Sequence, residues 1–138
     1  MFDVYLGGIL SKTWRKTFKE QIDKKNSIFD PYVKNFLKSD NFEKSEQIAR
    51  EFYFIDQSKI IVFYFNSSLS KSSRVQLGDA TGRGKQVIVC LDGRVPGCVY
   101  IERYCEYRGI FIVYSIEELV QTVNECLEQV KLCQFLKD

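Results

Sequence analysis

The sequence predicts a doubly wound α/β domain of the flavodoxin-like kind, with a five-stranded parallel sheet of order 2-1-3-4-5 and helices on both faces. Three observations carry that expectation. Short apolar runs alternate with longer helical patterns, which is the signature of repeated βα units around a mostly parallel sheet. Two of the runs, Lys59–Phe65 and Gln86–Leu91, are rich in Ile and Val on both faces, as strands buried on two sides must be. Right-handed crossovers then leave few other ways to wind such units.

Taken in order, the strands are read as Asp3–Leu6, Ser27–Asp30, Lys59–Phe65, Gln86–Leu91 and Ile110–Val113, with the first, third and fourth central. Helical patterns lie between them at Thr13–Lys25, Glu43–Gln57, Ser72–Arg83 and Ser115–Leu136. The last opens on Ser115-Ile116-Glu117-Glu118, a Ser followed three residues later by Glu, which is a capping box. Within it Leu119, Val123, Cys126, Leu127, Val130 and Cys133 recur at three- and four-residue spacing and form a core-facing stripe. Gly93, Pro96 and Gly97 mark a loop, and the segment from there to Gly109 is expected to hold a short helix.

A length of 138 residues suits one domain, spanning 1–138, and 45% apolar with 14% aromatic residues suits a packed core. The formal charge is +2, with 20 basic and 18 acidic residues interspersed. Without a run of Lys and Arg, no nucleic-acid polymer is expected as a partner; the lysines of 12–38 read as solvated helix faces. The start, Met1-Phe2-Asp3-Val4-Tyr5, lacks the pattern of a targeting segment, and the longest apolar run, Ile60–Phe65, is too short for a bilayer, so no membrane partner is expected. Five cysteines without a close pair, and the absence of histidine, argue against a zinc site and for reduced thiols in a cytoplasmic protein. Lack of histidine also removes Ser-His and Cys-His mechanisms, leaving carboxylates, Lys, Tyr or Cys for acid-base work.

In open α/β sheets ligands bind beyond the carboxyl ends of the strands, where the strand order reverses. Three loops therefore matter: Gly7–Ser11, Asn66–Ser73 and Asp92–Gly97. Gly7 and Gly8 would let backbone amides approach a ligand, and the helix that follows would favour a phosphate or ribose, although a Gly-Gly after a strand is more often simply a tight turn. The segment Ser70-Lys71-Ser72-Ser73-Arg74-Val75-Gln76-Leu77-Gly78-Asp79-Ala80 offers serines that cap a helix or donate to an anion, and small residues that permit close packing.

Val4-Tyr5-Leu6-Gly7-Gly8, Ser11 to Arg15 with Thr13-Trp14-Arg15, Phe29-Asp30-Pro31-Tyr32-Val33, Lys59 to Tyr64, and Gln76-Leu77-Gly78-Asp79-Ala80 through Gly84-Lys85 occur in one order along the chain. That ordered set resembles the nucleoside 2-deoxyribosyltransferase-like family and its related nucleotide N-glycosidases, and continues through Arg108-Gly109-Ile110 and Ser115 to Leu119. The resemblance implies cleavage of a sugar–base bond by a carboxylate nucleophile through a glycosyl-enzyme, without a cofactor or metal. It also implies a nucleoside or nucleotide partner, with Gly7, Gly8, Trp14, Arg15, Asp30, Ser72 and Ser73 around it, and Tyr5 orienting the nucleophile. A homo-oligomer is expected as well, because the family commonly completes its pocket from a neighbouring subunit and because Phe52, Tyr53 and Phe54 exceed what one helix face can bury.

The departures are as informative as the matches. The glutamate that the family places just before its Leu/Ile-Gly-x-Ala segment is Gln76 here, an amide that keeps the shape but is a poor nucleophile. Three explanations stand: a member that binds without catalysis, an introduced Glu-to-Gln replacement that traps substrate, or takeover by another carboxylate. For the last, Asp79 is nearest, although a solvent-facing helix residue is its ordinary reading. Where the family often places an acid after the third strand, this chain has Asn66, which can hydrogen-bond a base or sugar edge but cannot serve as an acid. Asp92 is a further polar candidate, and Asp92-Gly93 is also a plain turn.

Overall fold

The computed structural model describes residues 1–32 and 40–137. Its elements are β1 (Phe2–Gly8), α1 (Lys12–Gln21), β2 (Ile28–Phe29), α2 (Asn41–Asp56), β3 (Ser58–Phe65), α3 (Lys71–Gly82), β4 (Gln86–Leu91), α4 (Val99–Arg108), β5 (Phe111–Val113) and α5 (Ile116–Lys137). The five strands form one sheet of order β2-β1-β3-β4-β5, parallel throughout, in an α/β doubly wound fold. The expected order 2-1-3-4-5 is the one observed.

Period-two alternation splits the core into two layers. Val4, Leu6, Ile60, Val62, Tyr64, Ile88 and Cys90 point to one face, where Trp14 and Phe18 of α1 and Leu119, Val123 and Leu127 of α5 cover them. Their neighbours Tyr5, Ile61, Phe63, Phe65, Val87, Val89 and Leu91 point to the other, against Ile55 of α2, Leu77 and Ala80 of α3, and Ile101 and Cys105 of α4. Tyr5, midway along β1, is thus committed to the α2/α3 side.

Element ends differ from expectation where tertiary contacts overrode pattern. β1 runs through Gly7 and Gly8, because their amides continue the ladder to Phe63 and Tyr64 of β3. A side chain at Gly8, where φ is +115°, would meet the Tyr64 backbone at 2.2 Å, and one at Gly7 would meet the Phe63 ring at 2.8 Å. The glycines are therefore required by close strand packing, rather than forming a separate turn. α1 stops at Gln21, four residues short of the expected Lys25, where Ile22 turns extended and buries its side chain. β2 is reduced to Ile28–Phe29, while Ser27 on its flank accepts from the Asp3 and Val4 amides.

Caps explain the other boundaries. Ser70 begins α3, its Oγ accepting from the Ser73 amide, and Asp40 does the same for α2 with Glu43. At α5 the Glu118 amide donates to Ser115 Oγ at 3.1 Å while the Glu118 carboxylate reaches back to the Tyr114 amide, a capping box closed one residue early. The short helix expected between Gly93 and Gly109 is α4, ended by Gly109 at φ +69°. Of the aromatic run on α2, Phe54 stacks on Phe29 at 4.0 Å and Phe52 is half-buried, so of the three only Tyr53 is exposed. The surplus expected there is mostly absorbed within the subunit.

Candidate functional site

A cleft of about 250 Å³ opens between α2 and α3, walled by Leu10, Ile48, Glu51, Phe52, Val75 and Gln76 among others. A smaller recess continues from it toward the sheet and reaches Tyr5, Gly7, Gly8, Arg15 and Ser73; Leu10, Pro31, Glu51, Ser72 and Gln76 wall both. Its position follows from topology: β1 and β3 are adjacent, yet the chain leaves them toward opposite sheet faces, so a crevice forms beyond their carboxyl ends. The main cleft lies just below the ~300–1,000 Å³ usual for drug-sized sites, and so suits a compact ring such as a base or a sugar.

Gln76 sits in the second turn of α3 and is 6% exposed, with Leu77 and Ala80 beside it turned to the sheet. Ser73, one turn earlier, donates to the Gly8 carbonyl at 2.9 Å and ties the start of α3 to the end of β1. Tyr5 is fully buried, and its hydroxyl has no hydrogen-bond partner among the described residues. A buried O–H without an acceptor is costly, so an occupant of the recess would be stabilised by accepting from it. Burial, and secondarily the Glu51 charge, push the Tyr5 phenol well above its ordinary pKa, which keeps it a neutral donor.

Glu51 faces the same recess from α2. Burial pushes its carboxyl up to about 7, against the opposing pull of the Arg15 charge. Among the described residues it is the only carboxylate walling either cavity. Glu51 is not among the residues expected from the sequence. A usable signal existed: Ile48, Glu51, Phe52 and Ile55 fall at three- and four-residue spacing, which puts a carboxylate on the apolar stripe of an amphipathic helix. Gln47, on the same side, donates to the Pro31 carbonyl at 3.0 Å and fixes α2 against the segment after β2.

Other expected residues are placed differently. Arg15 is 2% exposed and already committed: it donates to the Leu6 carbonyl and Asp30 at 2.8 Å and to the Ile9 carbonyl at 3.1 Å. Only its Nε remains without a partner among the described residues. Asp30 in turn accepts from Lys19 and the Tyr32 amide, so the pair braces the wall. Trp14 is a core residue stacked on Tyr64 at 4.7 Å, its indole N–H held by the Ile9 carbonyl, and it walls neither cavity.

Asn66, Asp79 and Asp92 also stand outside the cleft. Asn66 accepts from the Ser67 amide and hydroxyl in a local turn. Asp92 accepts from the Tyr64 hydroxyl at 2.6 Å on the α1/α5 side of the sheet. Asp79 lies one turn after Gln76 on α3 but walls neither cavity, and its carboxylate pairs with Arg83 at 2.6 Å. Carboxyl-edge polar residues are thereby split into two groups by the sheet, with Tyr5, Glu51, Ser72, Ser73 and Gln76 together on one side.

A family model described as nucleoside 2-deoxyribosyltransferase like matches residues 1–94, more than half of the chain. The chain belongs to the nucleoside 2-deoxyribosyltransferase-like family. No curated protein matches it. The family match takes in every cleft residue named above and stops before α4, so it falls short of Arg108-Gly109-Ile110 and Ser115–Leu119, to which the resemblance by sequence extends. For this deoxyribosyltransferase-like chain, the cavity therefore lies wholly inside the family-defining segment. Among the described residues no helix is long and apolar enough to cross a membrane.

Proposed function

We propose that the chain binds a nucleoside or nucleotide in the α2/α3 cleft and cleaves or transfers its N-glycosidic bond. The observation that supports this most is the convergence of buried Gln76, Glu51 and the unpartnered Tyr5 hydroxyl in one crevice inside the family-matched segment. The apolar walls from Leu10, Ile48, Phe52 and Val75 suit the faces of a base, and Tyr5, Ser72 and the Gln76 amide suit sugar hydroxyls. Gln76 occupies the place of the nucleophilic glutamate that the resemblance implies. A carboxamide there positions sugar without forming an ester to it.

Incubation of the protein and of its Gln76→Glu variant with purine and pyrimidine nucleosides and their 5′-monophosphates, followed by chromatography for free base, tests the reading. Base release by either protein is the expected result; none from either, across the panel, overturns it. A second reading is favoured by Gln76 itself: a nucleotide-binding module of the same fold without catalysis. Calorimetric binding with no base release would select that reading.

Two attributes belong with this proposal. The exposed apolar rim formed by Leu10, Ile48 and Val75 is suited to cover by a second copy of the chain, which sedimentation at micromolar concentration would detect as a species above monomer mass. Five free thiols, among them buried Cys90, Cys105 and Cys126, suit a single-domain protein of the reducing cytoplasm.

A further inference from the structure

With an amide at position 76, one carboxylate among the described residues is left to wall the cavity, and it comes from a different helix. Resting on the proposed glycosidic reading, we infer that Glu51 is the catalytic acid and base of a direct hydrolysis, in which water and no protein atom is bonded to the sugar. The arrangement supports this in three ways. Glu51 walls both the wide cleft and the recess of about 20 Å³, so it stands at their junction, where a nucleoside in the cleft would meet a water held in the recess. It makes no hydrogen bond or salt bridge among the described residues, unlike Asp30 and Asp92, which are each engaged by partners. The unpartnered Tyr5 hydroxyl opens into the same recess and offers a neutral donor to that water or to the carboxyl itself.

The step balances with water as the sole co-reactant. Protonated Glu51 gives its proton to a ring nitrogen of the base as the C1′–N bond breaks, and the bonding pair leaves with the base. The sugar is left as an oxocarbenium ion. Water adds to C1′ and its proton passes to the Glu51 carboxylate, which restores the acid. Nucleoside and water become free base and free sugar. The Gln76 carbonyl dipole can stabilise the cationic sugar without capturing it, which is the consequence of an amide in place of a carboxylate.

The titration that governs the step is set by the groups around Glu51. Arg15 from α1 is the charge that acts on it, and it is itself paired with Asp30 beyond β2. Tyr5 from β1 is neutral, and α3 contributes only the uncharged Ser72, Ser73 and Gln76 to the recess. Desolvation therefore dominates and holds Glu51 near half-protonation at neutral pH, the condition under which one group serves as both acid and base.

The test uses the full chain with 2′-deoxyribonucleosides in ¹⁸O-labelled water, read for free base, for label at C1 of the sugar, and for exchange with a second free base. Expected results are equal release of base and labelled sugar, no base exchange, no sugar adduct in the intact-protein mass spectrum, and a kcat/KM that falls above about pH 7. Glu51→Gln should lower kcat by about 100-fold or more, with a much smaller change in calorimetric Kd. Glu51→Asp, which keeps an acid, should retain measurable release if the Gln variant fails to fold. Base exchange, a sugar adduct, or release by a folded Glu51→Gln at the wild-type rate would overturn the inference. Binding without any release by the wild-type protein would overturn it too while sparing the binding-module reading, whereas absence of binding removes the proposed function as well.

Discussion

The Arg15 guanidinium meets the Asp30 carboxylate at 2.8 Å while the same nitrogen donates to the Leu6 carbonyl, so one buried cation joins α1, the end of β1 and the segment after β2. Burial alone would raise the Asp30 pKa, but hydrogen bonds from Lys19 and the Tyr32 amide, with the Arg15 charge, hold it below the usual carboxylate value. A carboxylate so depressed contributes stability that is present above its unfolded pKa of ~3.9 and lost as pH falls through the lower folded one. Asp30→Ala leaves Arg15 buried and unpaired and should cost about 3–5 kcal/mol in urea unfolding at pH 7. The variant should also show a shallower loss of stability below pH 4 than the wild type.

Glu51 gives the opposite sign. Its folded pKa of about 7 lies above the ordinary 4.5, so its contribution is fully present below pH 4.5 and is lost as pH rises through 7. Glu51→Gln removes that loss. Thermal unfolding should find the variant equal to the wild type near pH 4.5 and about 1–2 kcal/mol more stable at pH 8, after allowance for partial exposure. A variant less stable than wild type at pH 8 would mean that the carboxylate is paired when ionised.

Trp14 and Tyr64 stack at 4.7 Å with their planes 13° apart, and neither walls the cleft or the recess. Trp14→Ala should therefore cost about 3–5 kcal/mol of stability. The milder Trp14→Phe, if folded, should bind nucleosides with the wild-type Kd. A loss of affinity in a folded Trp14→Phe protein would return Trp14 to the binding surface.

Gly8 and Gly84 both have positive φ, yet they should respond differently to alanine. At Gly84 no atom lies within 4 Å of the added carbon, so Gly84→Ala carries only the cost of the left-handed backbone, ~1–2 kcal/mol. At Gly8 the added carbon would lie 2.2 Å from the Tyr64 carbonyl oxygen, and separation of β1 from β3 would follow. Gly8→Ala should cost roughly 4 kcal/mol or more, read as loss of the cooperative unfolding transition or of soluble protein.

Much of the scaffold was legible because its signals are local. Alternation in Lys59–Phe65 and Gln86–Leu91 assigns each side chain to a sheet face without reference to any distant residue, and the Ser115/Glu118 box marks a helix start within four positions. Less of the site was legible. Arg15 and Asp30 read as ligand contacts, but their polar atoms are used between segments that the sequence leaves far apart. Trp14 is expected as a contact through the family resemblance, whereas its side chain packs into the core layer between α1 and α5.

By itself the sequence determined the order of the elements, the two-sided burial of the central strands, and the presence of an uncharged residue where the family resemblance calls for a glutamate. Those follow from periodicity, capping and residue identity, which act over a few positions. Only the tertiary structure decided that Glu51, 25 residues before Gln76, shares its recess, while Asp79, three residues after it, does not. The reason is geometric. A helix face is chosen by its packing against the sheet, so neighbours along one helix can be turned apart while side chains from two helices are brought to a common crevice.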